Sequence, residues 1–152
     1  MAHESIIFGY IEGATFVGAA RNTERYRMLQ QRNEKIILSL PTIDTSAHLT
    51  RGMFALPDLN DRYVTFRSQV IHFGGSDSGI EFGEVPVWIS KFEQLLSTLY
   101  WYEAEAHIRT EVFGVHRISW KADRAVRESH ATDDPVPTKN WKREDFGTKP
   151  AG

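Results

Sequence analysis

Residues 88–120 constrain the fold more than any other part of the chain, because their apolar period changes once, from that of a helix to that of a strand. Trp88, Ile89, Phe92, Leu95, Leu96 and Leu99 recur at helical spacing and form one apolar stripe. From Ala104 the period is two. Ala104, Ala106, Ile108, Thr110 and Val112 point one way, while Glu103, Glu105, His107, Arg109 and Glu111 point the other. That strand has a buried face and a charged face. Phe113-Gly114 turns it into a second strand, residues 115–120, so the stretch reads as an amphipathic helix feeding an antiparallel ribbon.

The rest of the chain supplies partners for both apolar surfaces. Residues 5–11 are β-branched and aromatic, end at Glu12-Gly13, and read as a first strand. Asn22 or Thr23 can cap a helix whose first turn holds Glu24. Tyr26, Leu29, Ile36, Ile37 and Leu40 keep its period until Pro41 stops it. Residues 52–56 suit a short edge strand. Residues 63–73 read as a central strand with apolar side chains on both faces. The run from Gly74 to Gly79 then reads as a turn needing positive φ, and residues 80–82 as a minor strand. Beyond Asp123 the chain is polar and aperiodic, with Trp141 and Phe146 as docking anchors for an arm. The expected fold is α+β: an antiparallel sheet of about four to six strands, with two main helices packed on it and a C-terminal arm. Residues 1–122 form the single domain and residues 123–152 the polar arm or tail.

Composition narrows the chemistry. With 152 residues the chain can bury a real core, and with no cysteine it has no disulfide, thiolate nucleophile or cysteine zinc site. The first residues lack a basic stretch followed by an apolar one, and no apolar run reaches the ~18–20 residues that span a bilayer. The expectation is a cytoplasmic protein with no membrane partner. A net charge of −2 argues against nucleic acid. The charge is segregated, however: residues 71–111 hold two basic against seven acidic side chains. An acidic segment of this kind steers a basic partner.

Catalytic motifs are missing. The Gly74–Gly79 run lacks the Gly-Lys-Ser/Thr ending of a phosphate loop and carries Asp77. No Gly-x-Ser-x-Gly elbow exists. His107 and His116 lie on neighbouring strands and could approach each other, but they lack a motif-grade third ligand, so no metal or other cofactor is expected. His72 interrupts an apolar strand end, where it can be a hydrogen-bonded core histidine or a general base beside Asp77. Tyr100-Trp101-Tyr102 cannot all face one core, so one of them is expected at a surface.

Three segments together carry a resemblance. They are Val70-Ile71-His72-Phe73-Gly74-Gly75-Ser76, Trp88-Ile89-Ser90-Lys91-Phe92-Glu93-Gln94-Leu95-Leu96, and the run from Leu99-Tyr100-Trp101 through Ala106-His107-Ile108-Arg109-Thr110-Glu111. The pattern, about a third of the chain, resembles small bacterial immunity proteins encoded beside polymorphic or type VI secretion toxins. The resemblance implies a protein that is not an enzyme, binds one cognate toxin, and occludes its active site. A basic toxin cleft would suit the acidic segment. The expected contact surface is Asp77, Glu81, Glu84, Tyr102, Glu103, Glu105, His107 and Arg109, acids steering encounter and aromatics anchoring it. Two alternatives remain open. One is a small enzyme or ligand-binding domain with a cleft near His72 and the Gly74–Gly79 run. The other is a subunit of a larger assembly, docked through Trp141 and Phe146.

Overall fold

The computed structural model describes residues 5–13, 23–43, 49–56, 70–77, 85–110, 114–123 and 135–147. These residues form a six-stranded antiparallel sheet and two helices, an α+β fold. In chain order the elements are β1 (Ser5–Gly13), α1 (Thr23–Leu38), a short 3-10 turn (Arg51–Met53), β2 (Phe54–Ala55), β3 (Val70–Asp77), α2 (Val85–Leu96), β4 (Trp101–Thr110), β5 (Gly114–Ala122) and β6 (Trp141–Gly147). The spatial order is β2-β3-β1-β4-β5-β6.

Period-two alternation decides which face of the sheet is covered. On β1, Ile7 and Ile11 are fully buried while Phe8 and Tyr10 point the other way. On β4, Ala104, Ala106 and Ile108 are fully buried, opposite Glu103, Glu105 and His107. Both helices lie on the same side. Ile37 of α1 and Trp88, Phe92, Leu95 and Leu96 of α2 share one core with Ile7, Ile71, Ile108 and Trp120. Its centre is aromatic: Phe92 stacks on Trp88 at 5.0 Å and meets Phe73 at 5.0 Å and Trp120 at 5.1 Å. Small residues let the layers close up. A side chain at Gly9 would begin 2.6 Å from the Phe73 ring and would run into the Glu105 carbonyl. Gly114, at φ 73°, opens β5 in the left-handed region that disfavours side chains.

The junction of α2 and β4 is where distant segments meet. Between Glu12 and Gly13 the β1–β4 register shifts, so Trp101 comes opposite Gly13 and Tyr102 is the extra residue of a bulge. Trp101 enters the main core. Tyr102 joins Tyr100 and Leu29 in a second cluster. Two side chains from elsewhere bind the backbone there. Asn33 of α1 donates Nδ2–H to the Tyr100 carbonyl at 2.9 Å and accepts the Tyr100 N–H at 2.8 Å. The Thr138 hydroxyl donates to the Trp101 carbonyl at 2.8 Å and accepts the Trp101 N–H at 3.1 Å.

The structure refines the sequence reading in three places. Gly74, Gly75, Ser76 and Asp77 of the glycine run are not a turn but the end of β3, paired with Phe8, Ile7, Ile6 and Ser5 of β1, while Ser78 and Gly79 lie outside the described residues. Paired strand backbone needs no positive φ, and Gly74 leaves the flank of Phe8 uncrowded, its Cβ position 3.5 Å from that of Phe8. Of the expected central strand 63–73, residues 70–73 open β3, an interior strand between β2 and β1; residues 63–69 lie outside the described residues, as do 80–82. Within the C-terminal segment, described residues join the sheet. Trp141–Gly147 pairs with β5 as the sixth strand, and Trp141 packs on Trp101 with ring centroids 5.7 Å apart.

Candidate partner-binding face

Among the described residues no helix covers the second face of the sheet. Residues directly opposite one another across strands share a face, so the register lays this surface out as rows. One row is Phe8, His107, Arg117 and Phe146, running over β1, β4, β5 and β6. The next is Tyr10, Glu105, Ser119 and Glu144, and the third is Glu12, Glu103, Lys121 and Lys142. Ile6, Arg109 and Val115 form a fourth.

The first row is built from flat groups. The Phe8 and His107 rings stack with centroids 4.8 Å apart and planes 3° from parallel. The Arg117 guanidinium carbon sits 4.3 Å from the centre of the Phe146 ring, a cation–π contact. Phe8 is 46 % exposed, Phe146 43 % and Val115 38 %. Large apolar side chains concentrated on one strand surface are informative in a way that a lone exposed leucine is not.

Glu105 ties the rows together. Its carboxylate accepts the Tyr10 hydroxyl at 3.3 Å and has His107 Nε2 at 3.2 Å and Arg117 Nε at 3.4 Å. These contacts hold the His107 ring in its stack and Arg117 over Phe146. Glu12 faces Glu103 directly across β1 and β4. Tyr10 registers that negative corner: partial burial first, then Glu103, Glu105 and Glu12, push its phenol from 10.0 up to about 12.

Of the residues expected at a contact surface, Glu103, Glu105, His107 and Arg109 share this face. Asp77 ends β3 opposite Ser5, at the sheet margin. Glu81 and Glu84 lie outside the described residues. Tyr102 is 5 % exposed and packs with Leu29 and Tyr100, with the same period-two parity as buried Ala104 and Ala106, so it offers no surface anchor. The anchors that composition did not reveal are Phe8, Tyr10 and Arg117; Phe146, expected as a docking anchor of the C-terminal arm, lies on this face as well. Alternation in residues 5–13 already separates Phe8 and Tyr10 from Ile7 and Ile11, and that signal was sufficient to find them.

The acidic segment does not make an acidic face. Register places Lys121 opposite Glu103, and Lys142 beyond it, so β5 and β6 supply cations beside the carboxylates of β1 and β4. The histidines separate as well. His107 faces Arg117 on the open side, whereas His116 faces Ile108 on the helix side, so the two do not converge. Among the described residues no group of three metal-ligating side chains forms. His72 is exposed and faces Tyr10, so it is not a core histidine.

A depression of about 530 Å³ lies elsewhere, between α2 and β6, with Pro86, Ile89, Glu93, Trp141 and Arg143 in its lining. Its polar groups satisfy one another. Glu93 accepts Arg143 Nη1 at 2.9 Å and Trp141 Nε1 at 3.3 Å, and Arg143 also reaches Asp145 at 2.7 and 2.9 Å. These pairs fasten β6 to α2. No helix among the described residues is long and apolar enough to cross a membrane. No family model, no curated protein and no solved structure matches this chain, so a functional reading stands on its surface chemistry.

Proposed function

We propose that this chain is a binding protein of the immunity type, which blocks a cognate bacterial toxin by covering it with the open face of its sheet. The observation that carries the reading is the Phe8–His107 stack beside the Arg117–Phe146 pair, one row that crosses β1, β4, β5 and β6 on the face opposite the helices. Rigid aromatic groups surrounded by charge pairs are the anatomy of an interface hot spot, where a few anchors carry most of the binding energy. Ordering them beforehand matters too. The Glu105 contacts fix His107 and Arg117 in the free protein, so little side-chain freedom remains to be lost on binding.

The corner made by Tyr10, Glu12, Glu103 and Glu105 supports a toxin with a basic cleft, since Glu12 faces Glu103 directly and Glu105 follows two residues along β4 on the same face. Carboxylates at such a margin act on encounter rates more than on final affinity.

The test is co-expression with the product of the adjacent gene. The expected outcome is a one-to-one complex and rescue of growth from a toxic neighbour. Phe8→Ala and Phe146→Ala are each expected to weaken the complex about 30-fold, the effect of losing ~2 kcal/mol at a hot spot. Glu103→Lys should slow association and flatten its salt dependence. Growth rescue and affinity unchanged by all three variants would refute the assignment of this face.

A further inference from the structure

We infer that the open face of the sheet also pairs with a second copy of the same chain, forming a weak face-to-face dimer in which β4 of each copy lies over β5 of the other. The inference concerns the face assigned above but stands without the toxin, because it rests on the pattern of that face alone. Two sheets packing face to face lie ~10 Å apart with strands within ~30° of each other, so a two-fold axis running along the strands is an allowed arrangement. An axis midway between β4 and β5 exchanges β4 with β5 and β1 with β6, and it keeps each residue in its own row.

Under that operation the rows are self-complementary. The row Glu12, Glu103, Lys121, Lys142 places Glu12 over Lys142 and Glu103 over Lys121 of the second copy. Both pairs occur twice by symmetry. The row Phe8, His107, Arg117, Phe146 places Phe8 over Phe146 and His107 over Arg117, flat group on flat group. In the row Tyr10, Glu105, Ser119, Glu144, the Tyr10 hydroxyl meets Glu144 and Glu105 meets the Ser119 hydroxyl. Arg109 meets Val115. No carboxylate faces a carboxylate and no lysine faces a lysine or an arginine. Axes elsewhere lose this: one along β4 lays Glu103 over Glu103, and one along β5 lays Lys121 over Lys121.

The size of the face sets the strength. Four strands at ~4.8 Å spacing and seven or eight residues at ~3.3 Å give a footprint of roughly 500 Å² per copy, in the class of small, transient interfaces. Self-association is therefore a concentration-dependent equilibrium that masks Phe8 and Phe146 at high protein concentration and yields to a tighter partner.

The experiment is sedimentation of the purified full chain over roughly 10–500 µM, the range in which an interface this small self-associates. The wild-type protein should move from 17.4 kDa toward twice that mass. Glu103→Lys and Lys121→Glu, both at solvent-accessible positions, should each stay monomeric with an unchanged circular dichroism spectrum. An equimolar mixture of the two should regain the dimer, because Lys at position 103 of one copy then faces Glu at position 121 of the other, while the second site keeps the wild-type pair of Glu103 and Lys121. Charge effects confined to one chain cannot be rescued by mixing. A wild-type protein that stays monomeric overturns the proposal, as do single variants that still dimerise or a mixture that does not. None of these results depends on a toxin, so the proposal and the functional reading fail separately.

Discussion

Asn33 offers the sharpest test of how the chain is held together. It is fully buried on α1, one turn from each of Leu29 and Ile37, and its amide makes both a donor and an acceptor contact with the backbone of Tyr100. Replacing it with Ala removes both bonds at a residue only 6 % exposed. Each backbone group deprived of a partner in such a place costs ~1–3 kcal/mol. Alanine returns about 0.5 kcal/mol through its better helix propensity. The net loss expected is ~1.5–5.5 kcal/mol, which at ~2–4 °C per kcal/mol for a chain of this size lowers Tm by roughly 3–20 °C. Thermal melts by far-UV circular dichroism and urea titrations with an unchanged m-value measure it. Asn33→Asp sharpens the reasoning. Its ionised carboxylate can still accept the Tyr100 N–H but repels the Tyr100 carbonyl; protonated, it can serve both groups. The folded state should therefore raise that carboxyl's pKa, and the deficit relative to wild type should shrink as pH falls through it. An Asn33→Ala protein within ~0.5 kcal/mol of wild type, or an Asn33→Asp deficit independent of pH, would refute the clamp.

Two further predictions follow from the sheet itself. Gly9→Ala should destabilise by ~3 kcal/mol, the upper end of overpacking, because its methyl would press on the Phe73 ring at 2.6 Å and on the β4 backbone; urea unfolding within ~0.5 kcal/mol of wild type would show that β1 and β4 are not so closely apposed. Tyr10 has a folded-state phenol raised from 10.0 to about 12, so its contribution is complete below pH ~10 and is lost as pH rises through the folded value. Between those limits wild type should lose stability that Tyr10→Phe retains; parallel pH curves for the two proteins would contradict the placement of Tyr10 against the carboxylates.

The sequence made legible those elements in which one face differs from the other. The stripe of α2 and the alternation of β4 are unambiguous because burial on one side and water on the other impose a period. Where that asymmetry fails, so does the reading. Lys142, Arg143, Glu144 and Asp145 of β6 are all exposed, so an edge strand wet on both faces looks like a polar tail. Gly74 and Gly75 read as a turn because glycine reports backbone freedom, whereas here it lies in a paired strand beside Phe8. Asn33 falls on a helical stripe but is polar, and only its distant partner at Tyr100 explains it. The charge of the surface needed register as well as composition. Glu103 and Glu105 are acidic in any reading, but that Lys121 lies opposite Glu103 follows from where β4 ends and β5 begins, at Gly114.

The edges of the sheet argue that association runs through its face. β2 is only two residues long, and β6 presents two basic side chains followed by two acidic ones, Lys142, Arg143, Glu144 and Asp145, along its free margin. Short strands and charged margins are the devices by which sheets avoid pairing strand to strand. A partner is therefore met by the side chains of the open face, and two ligands of that face exclude each other. A second copy and a toxin both need Phe8 and Phe146. The apparent affinity for the toxin must then fall as the concentration of free protein enters the range of self-association, by the fraction of chains left monomeric. Glu103→Lys separates the two effects, since it removes the competing dimer while it slows encounter with a basic partner. Its toxin affinity at high protein concentration should drop less, relative to wild type, than at low concentration.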